Sequence, residues 1–156
     1  MSLEKYWEKR DFDKTPEPKG RVLKTSKNRF VVQEHWASHH HFDFRLEMPA
    51  SAKAAAGKDI VLKSWAVPKG VPEKKGKRVL AIQTEDHPVR YLNFEGEIPE
   101  GCYGAGIVKI FDKGRYELIE RTENKIVFEL KGKKLKGKYI LLKFKKPNQW
   151  LLFKIE

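Results

Sequence analysis

Residues Arg29–Met48 read RFVVQEHWASHHHFDFRLEM, and four of the chain's five histidines lie in this stretch. From His41 onward the period is two. His41, Asp43 and Arg45 point to one side of a strand, while Phe42, Phe44 and Leu46 point to the other. One face can do chemistry at neutral pH and the other is apolar, which describes a strand laid on a core. Upstream, Phe30–Gln33 reads as a second short strand. The turn-like Trp36-Ala37-Ser38 segment can then fold His35 back beside His41, so that two imidazoles and a carboxylate converge. Such a set holds a divalent transition metal from one side and leaves coordination positions open for water or substrate. Arg45 follows one pleat further on, and its planar fork suits a phosphate, pairing two oxygens at once. Histidine clusters on surface strands also bind metal adventitiously, but the apolar opposite face argues for a strand held in place.

Working outward, Ile60–Val67, Lys77–Glu85, Gly106–Asp112, Arg115–Arg121, Lys125–Leu130, Lys138–Lys143 and Trp150–Ile155 are all strand-like. The later ones are separated by DKG, TEN, KGKKLKG and KKPNQ, which are hairpin spacings. Pro49–Lys58 (PASAKAAAGK) reads as a loop joining hairpin strands, with weak helical character. Many short strands with little helical periodicity indicate an all-β barrel or sandwich, and closure into a barrel removes exposed edges. Leu3–Arg10 can form a short helix that Pro16 and Pro18 stop, leaving Thr15–Arg21 as an extended arm. A chain of 156 residues supports one core, so residues 1–156 are expected to form a single domain, with 1–28 as arm and 29–156 as barrel.

Lys and Arg outnumber Asp and Glu by 33 to 21, a net charge of +12, which points to a polyanionic partner, best a nucleic acid. The run Lys131–Lys138 (KGKKLKGK) and the loop PKGVPEKKGK could each lie on a phosphate chain. The single cysteine, Cys102, excludes a disulfide framework or a zinc ribbon. The start MSLEKYWEKRDF lacks the apolar run of a signal peptide, so a cytoplasmic, nucleoid-associated protein with no membrane partner is expected. Gly101, Gly104 and Gly106 lack the following Gly-Lys-Ser/Thr of a nucleotide loop. His87 and Tyr91 stand in a Pro-broken stretch; read locally, one caps a turn and the other is half-buried core.

Five separated segments, RFVVQEH, HFDFRLE, LKSWAVPKG, EDHPVRYLNFEGEIPEGCYGAG and WLLFK, resemble in content and order the 3′-phosphoesterase domain of bacterial DNA ligase D and its free-standing relatives. The likeness runs almost end to end. It implies a small closed antiparallel β-barrel with a short N-terminal helix and arm. It also implies a manganese-dependent hydrolase of non-homologous end joining, with Co2+ or Zn2+ as other metals the site could take. Such an enzyme removes 3′-terminal ribonucleosides as a phosphodiesterase and 3′-phosphates as a phosphomonoesterase, leaving 3′-hydroxyl ends. Its partners would be a DNA primer–template ending in a 3′-ribonucleotide or 3′-phosphate, and a separate ligase or polymerase.

Carried over by motif, the metal ligands would be His35, His41 and Asp43, and the phosphate-contacting catalytic residues Arg45, His87 and Tyr91. Lys63 in LKSW, and Arg10, Asp11 and Glu17 in KRDFDKTPE, also match positions tied to activity. His39 and His40 depart from the family pattern, and His41 is preferred because it keeps the H-x-D-x-R spacing. No KxDG motif is present, so nick sealing is not expected of this chain. Two rival readings remain at this level. One is a non-catalytic single-strand binder stacking bases on Trp36, Trp65, Phe94 and Tyr103. The other is a non-haem iron oxygenase with His41, Asp43 and His87 as its triad.

Overall fold

The computed structural model describes residues 3–53 and 59–156. A five-residue helix, α1 (Glu4–Glu8), precedes nine strands: β1 (Arg29–Trp36), β2 (His40–Pro49), β3 (Ile60–Val67), β4 (Arg78–His87), β5 (Gly96–Ile98), β6 (Gly106–Arg121), β7 (Lys125–Lys131), β8 (Lys136–Phe144) and β9 (Lys146–Lys154). A 3-10 helix spans Val89–Asn93 between β4 and β5. Eight strands close in the order β1-β2-β3-β4-β9-β8-β7-β6 and back to β1, every pair antiparallel. β5 adds to the edge of β6 at Gly106–Val108, where β7 does not reach. The expected all-β closed barrel with a short N-terminal helix is what forms.

The alternation in β2 sets the two faces. Phe44 and Leu46 turn inward with Phe30, Trp65, Phe128 and Trp150 to fill the barrel. Asp43 and Arg45 turn outward, yet they are buried as well. A second apolar cluster, including Tyr6, Val31, Leu62, Tyr91 and Phe94, lies over the outer face of β1 and β3. The arm supplies part of it: Tyr6 is fully buried and its hydroxyl donates to the Pro18 carbonyl. Trp7 Nε1 donates to the Lys19 carbonyl at 2.9 Å, and Leu23 bridges to Ile60. The chemistry-bearing residues of β2 therefore sit between barrel wall and arm, outside the barrel's interior.

Two local expectations change, and a third falls partly outside the described residues. DKG (112–114) does not turn: β6 runs straight through it. Gly114 permits this, because a Cβ there would stand 2.5 Å from the Lys131 carbonyl oxygen, closer than any side chain tolerates. Asp112 is buried and accepts from the backbone N–H groups of Lys133, Lys134 and Leu135 at 3.0, 3.0 and 2.8 Å, pinning the β7–β8 turn. KKPNQ is largely strand, since β8 reverses at Lys145, whose φ is +60°, and β9 begins at Lys146. The Pro49–Lys58 loop does join an antiparallel hairpin, with Pro49 opposite Ile60; the helical character expected of its residues 54–58 lies outside the described residues.

Candidate metal centre and active site

The β1–β2 register places His35 opposite His41 and Gln33 opposite Asp43. With side chains alternating, His35, His41 and Asp43 meet on the outer face, and one ligand atom from each lies within 4.8 Å of the others. His35 Nδ1 stands 3.2 Å from Asp43 Oδ2, and His41 Nε2 3.1 Å from Asp43 Oδ1. The two far nitrogens are anchored on carbonyls, His35 Nε2 on Gly104 at 2.7 Å and His41 Nδ1 on His39 at 2.9 Å. A carbonyl can only accept, so the protons sit on those far nitrogens and the near nitrogens turn lone pairs toward a carboxylate. Three such groups facing one another suit a cation between them, and a proton on a near imidazole nitrogen meets the Asp43 carboxylate without one. This donor set therefore fits a divalent metal, and its anchored imidazoles are the arrangement that orients such ligands. Burial alone would raise the Asp43 carboxyl; Arg45 and the two imidazoles outweigh it and hold the group below the usual carboxylate range. The Asp43 carboxylate in turn raises His41. His40 instead pairs with Glu34 at 2.7 Å and stacks on Trp36, and His39 is exposed.

Arg45 is fixed on all sides. Its Nε donates to Gln33 Oε1 at 2.7 Å and its Nη1 to Ser64 Oγ at 3.0 Å. Its Nη2 lies 3.5 Å from Asp43 Oδ2, and its guanidinium sits over the Tyr91 ring at 4.7 Å. Gln33 is the pivot, because its amide also donates to the carbonyls of Tyr91 and Phe94 at 2.8 and 3.0 Å, tying the 3-10 segment to β1. His87 is buried; its Nδ1 donates to the Glu85 carbonyl at 2.9 Å, leaving a lone pair on Nε2, 3.5 Å from Arg10 Nη2. Burial, then Arg45 and Arg10, push His87 well below the ordinary histidine value, so it is neutral at pH 7. Burial also raises the Tyr91 phenol far above its ordinary value, and its hydroxyl donates to Glu17. Glu17 accepts from Arg10 Nε at 3.1 Å and Thr15 Oγ1 at 2.9 Å. Glu85 pairs with Lys9 and Arg10 at 2.9 and 3.3 Å.

A cavity of about 310 Å3 opens between the arm, β2 and β4. Eight of the ten residues singled out from the sequence meet there: Arg10, Glu17, His35, His41, Asp43, Arg45, His87 and Tyr91. Two do not. Asp11 is exposed and its Oδ1 accepts from the Asp13 N–H at 3.1 Å, capping the arm's turn. Lys63 lies on the other face of β3 from Ser64, where it pairs with Asp86 at 2.8 Å and donates to the Ala50 carbonyl at 3.0 Å. Sequence reasoning missed Gln33, Ser64, Glu85 and Gly104. The period-two face shared with His35 and His87 could have flagged Gln33 and Glu85. Ser64 and the Gly104 carbonyl enter only through strand pairing and loop closure.

The rival readings lose their geometry. His87 is not in the metal-holding group among the described residues. Trp65 and Phe94 are buried, and only Trp36 and Tyr103 offer exposed rings. No helix among the described residues is long and apolar enough to cross a membrane.

Residues 33–143 match the family model described as the DNA ligase D 3′-phosphoesterase domain. Over 97% of its length the chain is 42% identical to the multifunctional non-homologous end joining protein LigD of Pseudomonas aeruginosa, covering 18% of that protein. It is 41% identical to the protein of the same name from Mycolicibacterium smegmatis, over 99% of this chain and 20% of the relative. The Mycobacterium tuberculosis relative, 39% identical, is likewise matched over 99% of this chain and 20% of its own length. The chain thus spans about a fifth of the curated relatives it matches. With the family model covering most of the chain and these relatives 39% to 42% identical over nearly all of it, the chain belongs to the DNA ligase D 3′-phosphoesterase domain family.

Proposed function

We propose that this chain is a metal-dependent phosphoesterase that heals DNA 3′ ends, removing a terminal ribonucleoside and then the 3′-phosphate to leave a 3′-hydroxyl. The observation that carries this reading is the meeting, in one cavity, of a metal-capable His-His-Asp set with a buried, fixed guanidinium. His35, His41 and Asp43 hold the metal. Nitrogen and carboxylate donors with open positions suit Mn2+, with Co2+ or Zn2+ as alternatives. When bound, the metal polarises a phosphate oxygen and neutralises charge as the P–O bond breaks. Arg45 forks onto the same phosphate, already aimed by Gln33 and Ser64, and loses little freedom on binding. Neutral His87 takes at Nε2 the proton that the attacking water loses as its oxygen bonds to phosphorus, and gives it to the leaving oxygen as the old P–O bond breaks. Tyr91 donates a hydrogen bond, either to Glu17 or to an arriving phosphate oxygen. Glu17 and Arg10 bring the arm into the site, so residues 1–28 and the barrel, 29–156, act as one unit.

The relatives are named for non-homologous end joining, and the substrate proposed here is the primer–template end such repair produces. A ligase or polymerase acting on the healed end would be the partner, in the cytoplasm where the nucleoid lies. The test is incubation with Mn2+ and labelled primer–templates ending in one 3′-ribonucleotide or in a 3′-phosphate, resolving products by length and end group. Shortening to a 3′-phosphate and then a 3′-hydroxyl is expected, lost with chelator and in Asp43→Ala. Intact substrate with every divalent metal tried would sink the proposal.

A further inference from the structure

At the end of β1 away from His35 the outer barrel face carries a row of cations. Arg29 on β1 lies opposite Arg115 on β6, Arg115 opposite Lys131 on β7, and Lys131 opposite Lys136 on β8. All four point outward, since Phe30, Tyr116, Leu130 and Leu135 beside them fill the interior. Like charges directly opposite in a ladder are destabilising, so four in succession are not what folding alone would select. A general surplus of lysine does not account for the row either. Two residues along the same strands, Glu117 faces Glu129 and Glu129 faces Lys138, a mixed set. Arg29 is engaged by Glu47 at 2.8 Å, and Lys131 lies 3.8 Å from Glu117. Arg115 and Lys136 have no acidic partner among the described residues. Beside the row, a hollow of about 510 Å3 is edged by Arg29, Arg21 and Arg90; the last two are also exposed and unpaired among the described residues. Six cations therefore face two carboxylates.

We propose that this row binds the phosphate backbone of the duplex upstream of the 3′ end, an anchor separate from the catalytic cavity. The inference rests on the reading of the substrate as a DNA end. Arg29 stands on the same face of β1 as His35, six residues or roughly 20 Å away at the rise of a strand. At about 3.4 Å per base pair, that is about six nucleotides from the reacting phosphate. The row crosses three strand spacings, roughly 14 Å, enough to reach both phosphate chains flanking a groove about 12 Å wide. A single strand would need no such width.

The test compares two charge reversals of equal size, Arg115→Glu with Lys136→Glu, and Lys145→Glu with Lys146→Glu at the exposed turn between β8 and β9, at the other end of β8 from Lys136. Fluorescence anisotropy of a primer–template about 20 base pairs long, in chelator, reads binding without turnover. The row variant is expected to bind at least about tenfold more weakly, with a salt dependence shallower by about two log–log units. The turn variant is expected to stay within about twofold of the parent. On a tetranucleotide end, too short to reach the row, the row variant turns over at the parent rate. Equal losses in both variants, or none in the row variant, overturn the proposal. A parent protein that binds the duplex but heals neither end refutes the catalytic reading instead, and the anisotropy comparison still decides the row.

Discussion

His87 is the residue whose chemistry depends most on its neighbours. Its burial beside Arg45 and Arg10 keeps it neutral, although a histidine in water titrates near pH 6.5. Because the folded value is depressed, the contribution of His87 to stability is complete above about pH 6.5 and is lost as pH falls through the folded value. Long-range 15N imidazole spectra of the metal-free protein are expected to find His87 still neutral at about pH 6, with its proton on Nδ1. In Arg10→Gln one of the opposing cations is gone, so the transition moves up toward pH 6.5. A His87 that titrates at its ordinary value in the parent protein would remove the electrostatic basis for its assigned role. Tyr91 and Glu17 are coupled to the same guanidinium, so Arg10→Gln is also expected to raise KM for a 3′-phosphate end, checked by steady-state kinetics at saturating metal.

Strands and their connections decide where those residues stand. The turn after β5 returns to the site at Gly104, whose φ of +77° suits glycine and whose carbonyl fixes the His35 tautomer. Gly104→Ala is expected to move that carbonyl and weaken Mn2+ binding about tenfold, the effect of losing a hydrogen bond behind a metal ligand; isothermal titration calorimetry measures it. Lys63 acts on the opposite face of the sheet. Asp86 lies where the β3–β4 register shifts opposite Lys63, and the Lys63–Asp86 pair holds β4 there, between Glu85 and His87 of the cavity wall. Lys63→Ala is therefore expected to lower kcat severalfold with Mn2+ affinity unchanged. A combined Lys63→Met and Asp86→Asn variant, which leaves no unpaired charge in the sheet, is expected to recover part of that loss. If Lys63→Ala raised KM alone, direct contact with substrate would be the better account.

For the whole molecule, the barrel and its overlay have separate cores, and the site lies at their seam. Tyr6 joins the two by packing on His87 and Tyr91, with ring centroids at 4.9 and 6.0 Å. Removing its ring leaves a cavity in the outer cluster, so Tyr6→Ala is expected to cost about 3 kcal/mol in a urea titration and to abolish turnover while the barrel's circular dichroism persists. The sequence by itself determined the strands and their two faces, because a period of two is a local property that any strand on a core must display. In this way it brought His35, His41, Asp43 and Arg45 together across one hairpin. The roles of His87, Tyr91, Arg10 and Glu17 came from resemblance, since no local pattern relates an arm residue to a loop 70 positions later. Their convergence was decided only by the tertiary structure, through barrel closure and the packing of the arm. The same holds for the placement of Lys63 behind the sheet and for the continuous β6, where a close backbone approach at Gly114 overrides the turn tendency of Asp-Lys-Gly.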